Sequence, residues 1–101
     1  MEKQECPRFG DWSTPPEKPS PEVLELVNRV RTLVEIKLGV NFAEFEATLC
    51  RMQVVAGFNY LVKVFVGADR FIHVQFYNAL DGSITLTAVE DHKKKEDPLN
   101  V

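Results

Sequence analysis

The apolar residues of this chain repeat with one period up to Gly39 and with another beyond it, and that switch limits the folds open to it. Val23, Leu26, Val27, Val30, Leu33 and Val34 recur at three- and four-residue spacing, which sets them on one stripe of an α-helix. Leu24 and Ile36 lie off the centre of the stripe, so the apolar face is wide, and a curved sheet covers such a face better than a flat contact. Ser20 is placed to cap free backbone N–H groups, Pro21 suits the first helical position, and Glu22 complements the positive end of the helix dipole. Val23 stands where a capping-box acid would stand, so that reinforcement is missing. Gly39 is the expected stop.

After Gly39 the pattern is that of strands. Phe45, Ala47 and Leu49 alternate until Arg51 breaks the parity and Cys50, Met52 and Val54 take over, which calls for a bulge near residues 47–49. Residues 59–66 read as a second strand with Tyr60, Val62, Val64 and Val66 on one face. Gly67-Ala68-Asp69-Arg70 is a turn. Residues 71–77 form a third strand, with Ile72, Val74 and Phe76 opposite Phe71, His73, Gln75 and Tyr77. The Asp81-Gly82 pair signals a hairpin. Residues 84–90 are a fourth strand, with Ile84, Leu86 and Ala88 alternating with Thr85, Thr87 and Val89. Short links make neighbouring strands antiparallel, and a single helix must bury its stripe on one face of the sheet. The class is α+β.

At 101 residues the chain is the size of one domain with one modest core. Pro7, Pro15, Pro16 and Pro19 make residues 1–20 an extended arm that can lie along a sheet edge. The net charge of −3 disfavours a nucleic-acid partner. The basic run His92-Lys93-Lys94-Lys95 is flanked by acids and reads as a solvated tail. No apolar run is long enough for a membrane span, and the polar N-terminus lacks the apolar core of a signal peptide, so a cytoplasmic protein is expected, with a nuclear pool open to a chain this small. Cys6 and Cys50 are too few for a disulfide framework; Cys6 is the more reactive candidate, and Cys50 reads as a small hydrophobe.

Catalytic groupings are weak. Cys50 and His73 are the one pair that strands could bring together, and the simpler reading has Cys50 in packing and His73 on the surface. Two cysteines and two histidines lack metal-ligand spacing, and the glycines are scattered at turns rather than gathered in a phosphate loop. No catalytic residue, metal or cofactor is expected.

One segment stands out. Gln53-Val54-Val55-Ala56-Gly57 joins the first two strands, and on composition alone it is a tight hairpin with valines beside a glycine. The same string resembles the signature loop of the cystatins, the inhibitors of papain-like cysteine proteases. The likeness extends to Pro21-Glu22-Val23 at the helix start, to Gly57-Phe58-Asn59-Tyr60-Leu61-Val62-Lys63-Val64, to Phe71-Ile72-His73-Val74 and to Leu99, and it is to the stefin branch. It implies a cystatin-like fold over residues 1–101, an antiparallel sheet wrapped around the helix, with the arm adding a strand around Lys18. It also implies a reversible competitive inhibitor that fills the cleft of cathepsins with three aligned pieces, and a monomer whose valine-rich hairpin leaves a domain-swapped dimer within reach.

Mapped onto this chain, the protease-binding pieces are Gly10, Asp11 and Trp12 in the trunk, Gln53, Val54, Val55, Ala56 and Gly57 in the first loop, and Leu80 and Asp81 in the second. Asp11 stands where stefins carry a second glycine, Trp12 takes an aliphatic position, and the second loop is shorter and lacks the usual proline. Those departures motivate the alternative reading, a cystatin-fold binding module with weakened or lost inhibition.

Overall fold

The computed structural model describes residues 11–100. Helix α1 (Pro21–Leu38) is followed by strands β1 (Glu46–Val55), β2 (Gly57–Phe65), β3 (Phe71–Asn78) and β4 (Ile84–Lys93). The strands form one antiparallel sheet in the order β1-β2-β3-β4. The helix ends follow the local chemistry. The Ser20 hydroxyl accepts from the Val23 N–H at 3.3 Å, and Gly39, at φ 71°, returns its N–H to the Glu35 carbonyl at 2.8 Å.

Val23, Val27, Val30 and Val34 of α1 bury against Tyr60, Val62 and Val64 of β2 and Ile72, Val74 and Phe76 of β3. Leu26 and Leu38 flank this cluster. The buried stripe is narrower than the periodicity suggests, because Leu33, Leu24 and Ile36 stay exposed. The β1 register shifts between Ala47 and Leu49, as the change of parity requires, and Cys50 and Met52 thereby reach the core. A similar shift on β4 corrects the alternation read for that strand. Gln75 faces Ala88 while Phe76 faces Leu86, so one extra residue turns Ala88 outward and Val89 inward.

The opposite face of the sheet is covered in part, over β2 and β3. Leu61, Lys63, Phe71 and His73 are buried there. Leu99 is buried as well, and the Lys63 ammonium donates to the carbonyls of Lys94, Lys95 and Asp97. The segment after β4 therefore lies across this face. Two expectations change as a result. The basic run keeps its side chains at His92, Lys94 and Lys95 exposed but is no free tail, since Lys93 completes β4 and the next backbone carbonyls cage a buried cation. His73 is not on the surface. It is 3% exposed, pairs in register with Lys63, and points away from the helix, whereas Cys50 packs toward the helix on a strand two places away. The two cannot meet. Burial first, then the charge of Glu17, pushes the Cys50 thiol above its ordinary value, as suits an inert thiol.

The arm lies antiparallel against the free edge of β1 without forming a continuous strand. It pairs at Trp12 with Gln53 and at Glu17 with Cys50. Between these points Pro15 and Pro16 have no N–H to donate, so the expected strand around Lys18 is reduced to two bridges. No helix among the described residues is long and apolar enough to cross a membrane.

Candidate functional site

An antiparallel meander puts alternate connections at the same end. The β1–β2 turn and the β3–β4 loop share one end of the sheet, and the turn after β2 lies at the other. The Trp12–Gln53 bridge brings the arm to that first end. Asp11, Trp12, Gln53–Gly57 and the Leu80–Asp81 loop are thus gathered, while Gly10 lies outside the described residues.

The first hairpin is tighter than its sequence implies. Val55 pairs directly with Gly57, which leaves Ala56 alone at the tip. Gln53, Val54 and Val55 belong to β1. The Gln53 side chain is held by Asn59, whose Nδ2 donates to Gln53 Oε1 at 2.7 Å. Gly57 has φ 107°, and a Cβ there would stand 2.5 Å from the Asn78 carbonyl oxygen and 3.2 Å from Ala79 Cα. The glycine is therefore required inside the molecule, where the first hairpin presses on the end of β3. The Tyr77 hydroxyl donates to the Ala56 carbonyl, which ties the tip to the same place.

The second loop is closed on itself. Ala79 N–H donates to the Ser83 carbonyl and Gly82 N–H to the Ala79 carbonyl, both at 2.9 Å. Asp81 Oδ1 accepts from the Ser83 N–H at 2.9 Å and hydroxyl at 2.7 Å, and these bonds hold its carboxyl below the usual aspartate range. Arg29 reaches from the helix to the Gly82 carbonyl at 3.3 Å. With its neighbours so fixed, Leu80 projects outward, 81% exposed.

The arm is fastened by Ser13. Its N–H donates to the Met52 carbonyl at 2.7 Å and its hydroxyl accepts from the Met52 N–H at 2.9 Å. Arg51 Nε donates to the Ser13 carbonyl at 2.9 Å. Half-buried Trp12 precedes this clasp and the exposed Asp11 lies beyond it. Ser13, Arg51 and Tyr77 escape a reading of the sequence because each acts through a partner distant in the chain, and Asn59 because its partner Gln53 is reached only across the hairpin. The parity break at Arg51 was the one visible signal.

A helix packed on a four-stranded antiparallel meander, with apolar Ala56 and Leu80 turned out at one end, defines an α+β class with a loop-borne surface at that end. The family model for the cystatin domain matches residues 13–98. The chain belongs to the cystatin family, and within it to the stefin type. It is 40% identical to cystatin-A of Felis catus over 83 residues, covering 79% of this chain and 85% of that protein. It is 35% identical to leukocyte cysteine proteinase inhibitor 1 of Sus scrofa over 102 residues, covering 98% and 97% of the two chains. It is 36% identical to cystatin-A3 of Dictyostelium discoideum over 90 residues, covering 89% and 95%.

Proposed function

We propose that this protein is a reversible, tight-binding, competitive inhibitor of papain-like cysteine proteases, and that it blocks the cleft with the end of the sheet that carries Trp12, the Val54–Val55–Ala56 tip and Leu80. The observation that supports this most is the convergence of these three pieces from distant parts of the chain, with Leu80 81% exposed on a loop that is otherwise hydrogen-bonded shut. A large aliphatic side chain held out by a closed loop suits insertion into an apolar groove better than solvation.

The action is steric. Protease substrates lie extended in the cleft, but this chain reverses direction at Ala56, so the tip offers no extended bond for cleavage. Tyr77, Gly57 and the Asp81–Ser83 contacts hold both hairpins before binding, which reduces the ordering lost on association. The arm has fewer backbone bonds, and its part is to slow dissociation. Cathepsins are the proteases of this class that the reading assigns as targets.

The test is an inhibition assay with the purified monomer against papain and an endopeptidase cathepsin. Competitive inhibition at nanomolar protein, reversed on dilution, is the expected result. A folded monomer that leaves both enzymes active overturns the reading and favours the non-inhibitory binding module.

A further inference from the structure

We propose that Arg51 is a positioning residue that ties the N-terminal arm to the C-terminal segment, so that the seat of Trp12 beside the first hairpin depends on Leu99. The clasp itself is independent of what the protein binds; its effect on protease dissociation rests on the inhibitor reading above.

Arg51 stands on β1 with its side chain on the face away from the helix, where the C-terminal segment lies. Its Nε donates to the Ser13 carbonyl at 2.9 Å, and another nitrogen of the same guanidinium donates to the Leu99 carbonyl at 2.6 Å. A planar guanidinium holds two such acceptors in fixed directions, which a lysine ammonium on a flexible stem does not. Both ends of the bridge are anchored. Ser13 is clasped to Met52, and Leu99 is 3% exposed on a segment whose carbonyls at Lys94, Lys95 and Asp97 are gripped by Lys63.

Apart from the Ser13–Met52 clasp, the arm has few bonds to the sheet near Trp12. Pro15 and Pro16 donate nothing, and its next backbone pairing to β1 after Ser13 is at Glu17. Trp12 immediately precedes Ser13, so losing the bridge leaves the Ser13–Met52 clasp alone to seat the residue that pairs with Gln53, and loosens it. The C-terminal segment then acts as a latch. Removing Leu99 should loosen the arm at the opposite terminus of the chain, which makes trimming of the C-terminus a way of tuning arm-dependent binding.

Trp12 is the chain's single tryptophan, so its fluorescence reads the arm in the free protein. Two full-length variants, Arg51→Met and Arg51→Lys, would be compared with deletion of residues 99–101, which removes the carbonyl that Arg51 holds, each first checked by thermal unfolding to be folded. The expected result is a red-shifted emission and easier acrylamide quenching for Arg51→Met and for the deletion, no further change when the two are combined, and incomplete recovery with Arg51→Lys. Dissociation from papain should quicken roughly tenfold in the same two variants, the loss expected for one charge-assisted hydrogen bond. Unchanged Trp12 quenching in the folded variants overturns the proposal, and so do strictly additive effects. The fluorescence needs no protease, so it tests the latch even if the wild type fails to inhibit.

Discussion

Gly57 lies so close to Asn78 that a Cβ on it would stand 2.5 Å from the Asn78 carbonyl oxygen. The contact joins the first hairpin to the end of β3, directly before the second loop. Replacing Gly57 thus disturbs the protein before any partner arrives. Gly57→Ala should cost on the order of 1–3 kcal/mol, from its left-handed backbone and from the displaced β3 carbonyl, and urea unfolding would measure it. A variant as stable as the wild type would show that the two hairpins are not locked together in this way.

Val55→Asp is the cleaner probe of the wedge. Val55 is half-buried beside the tip and its backbone pairing survives the change. Stability should move by about 1 kcal/mol or less. Inhibition should weaken at least ~100-fold, because the new carboxylate would be desolvated in the cleft without a partner. Parallel unfolding and inhibition titrations separate the two effects.

Tyr77→Phe removes the hydroxyl that holds the Ala56 carbonyl and leaves the ring in place. The stability loss should be about 0.5–1.5 kcal/mol, the net worth of one hydrogen bond. Inhibition should weaken several-fold with the change mainly in the association rate, since a looser tip must be ordered on binding. Stopped-flow association kinetics would decide; an unaltered on-rate would remove Tyr77 from the loop's support.

The burial of His73 gives a pH dependence. Burial first, then the charges of Lys63 and Lys93, hold His73 below its ordinary value of 6.5, against the pull of Glu90 and Asp97. Its Nδ1 lies 3.9 Å from Glu90 Oε1, and its Nε2 has no hydrogen-bond partner among the described residues. The unfolded chain therefore takes up this proton at a higher pH than the folded chain. The stabilisation is complete above 6.5 and is lost as the pH falls from there through the folded-state value, with a slope of at most about 1.4 kcal/mol per pH unit. His73→Gln should flatten denaturation curves across that window. Asp91 acts lower. The hydrogen bond from Arg70 leads in holding its carboxyl below 3.8, so its contribution fades only under about pH 4. Equal slopes for wild type and His73→Gln as the pH falls below 6.5 would contradict the assignment.

The helix, its two caps, the strand order of the meander and the β1 bulge were legible in the sequence because each is written in local periodicity or in one capping residue. The outer face of the sheet was not. Lys63 and His73 look like ordinary solvent-facing residues of alternating strands, and only the return of the chain through Leu99 makes them buried. The charged run ending β4 hid that return, because nothing local says that a lysine backbone will supply acceptors to another lysine. The first loop's string was visible, but the internal reason for Gly57 was not, since it depends on Asn78. The trunk was legible as an arm, yet its fastening through Ser13 and Arg51 joins residues 38 apart in the chain.

Amide hydrogen exchange of the protein, free and bound to papain, would locate the binding end of the sheet outright. A wedge at the first end predicts new protection at residues 12, 53–57 and 79–81, and none at the 67–70 turn on the other end. Protection at that far turn instead, or a complex that leaves residues 53–57 exchanging as in the free protein, would contradict it.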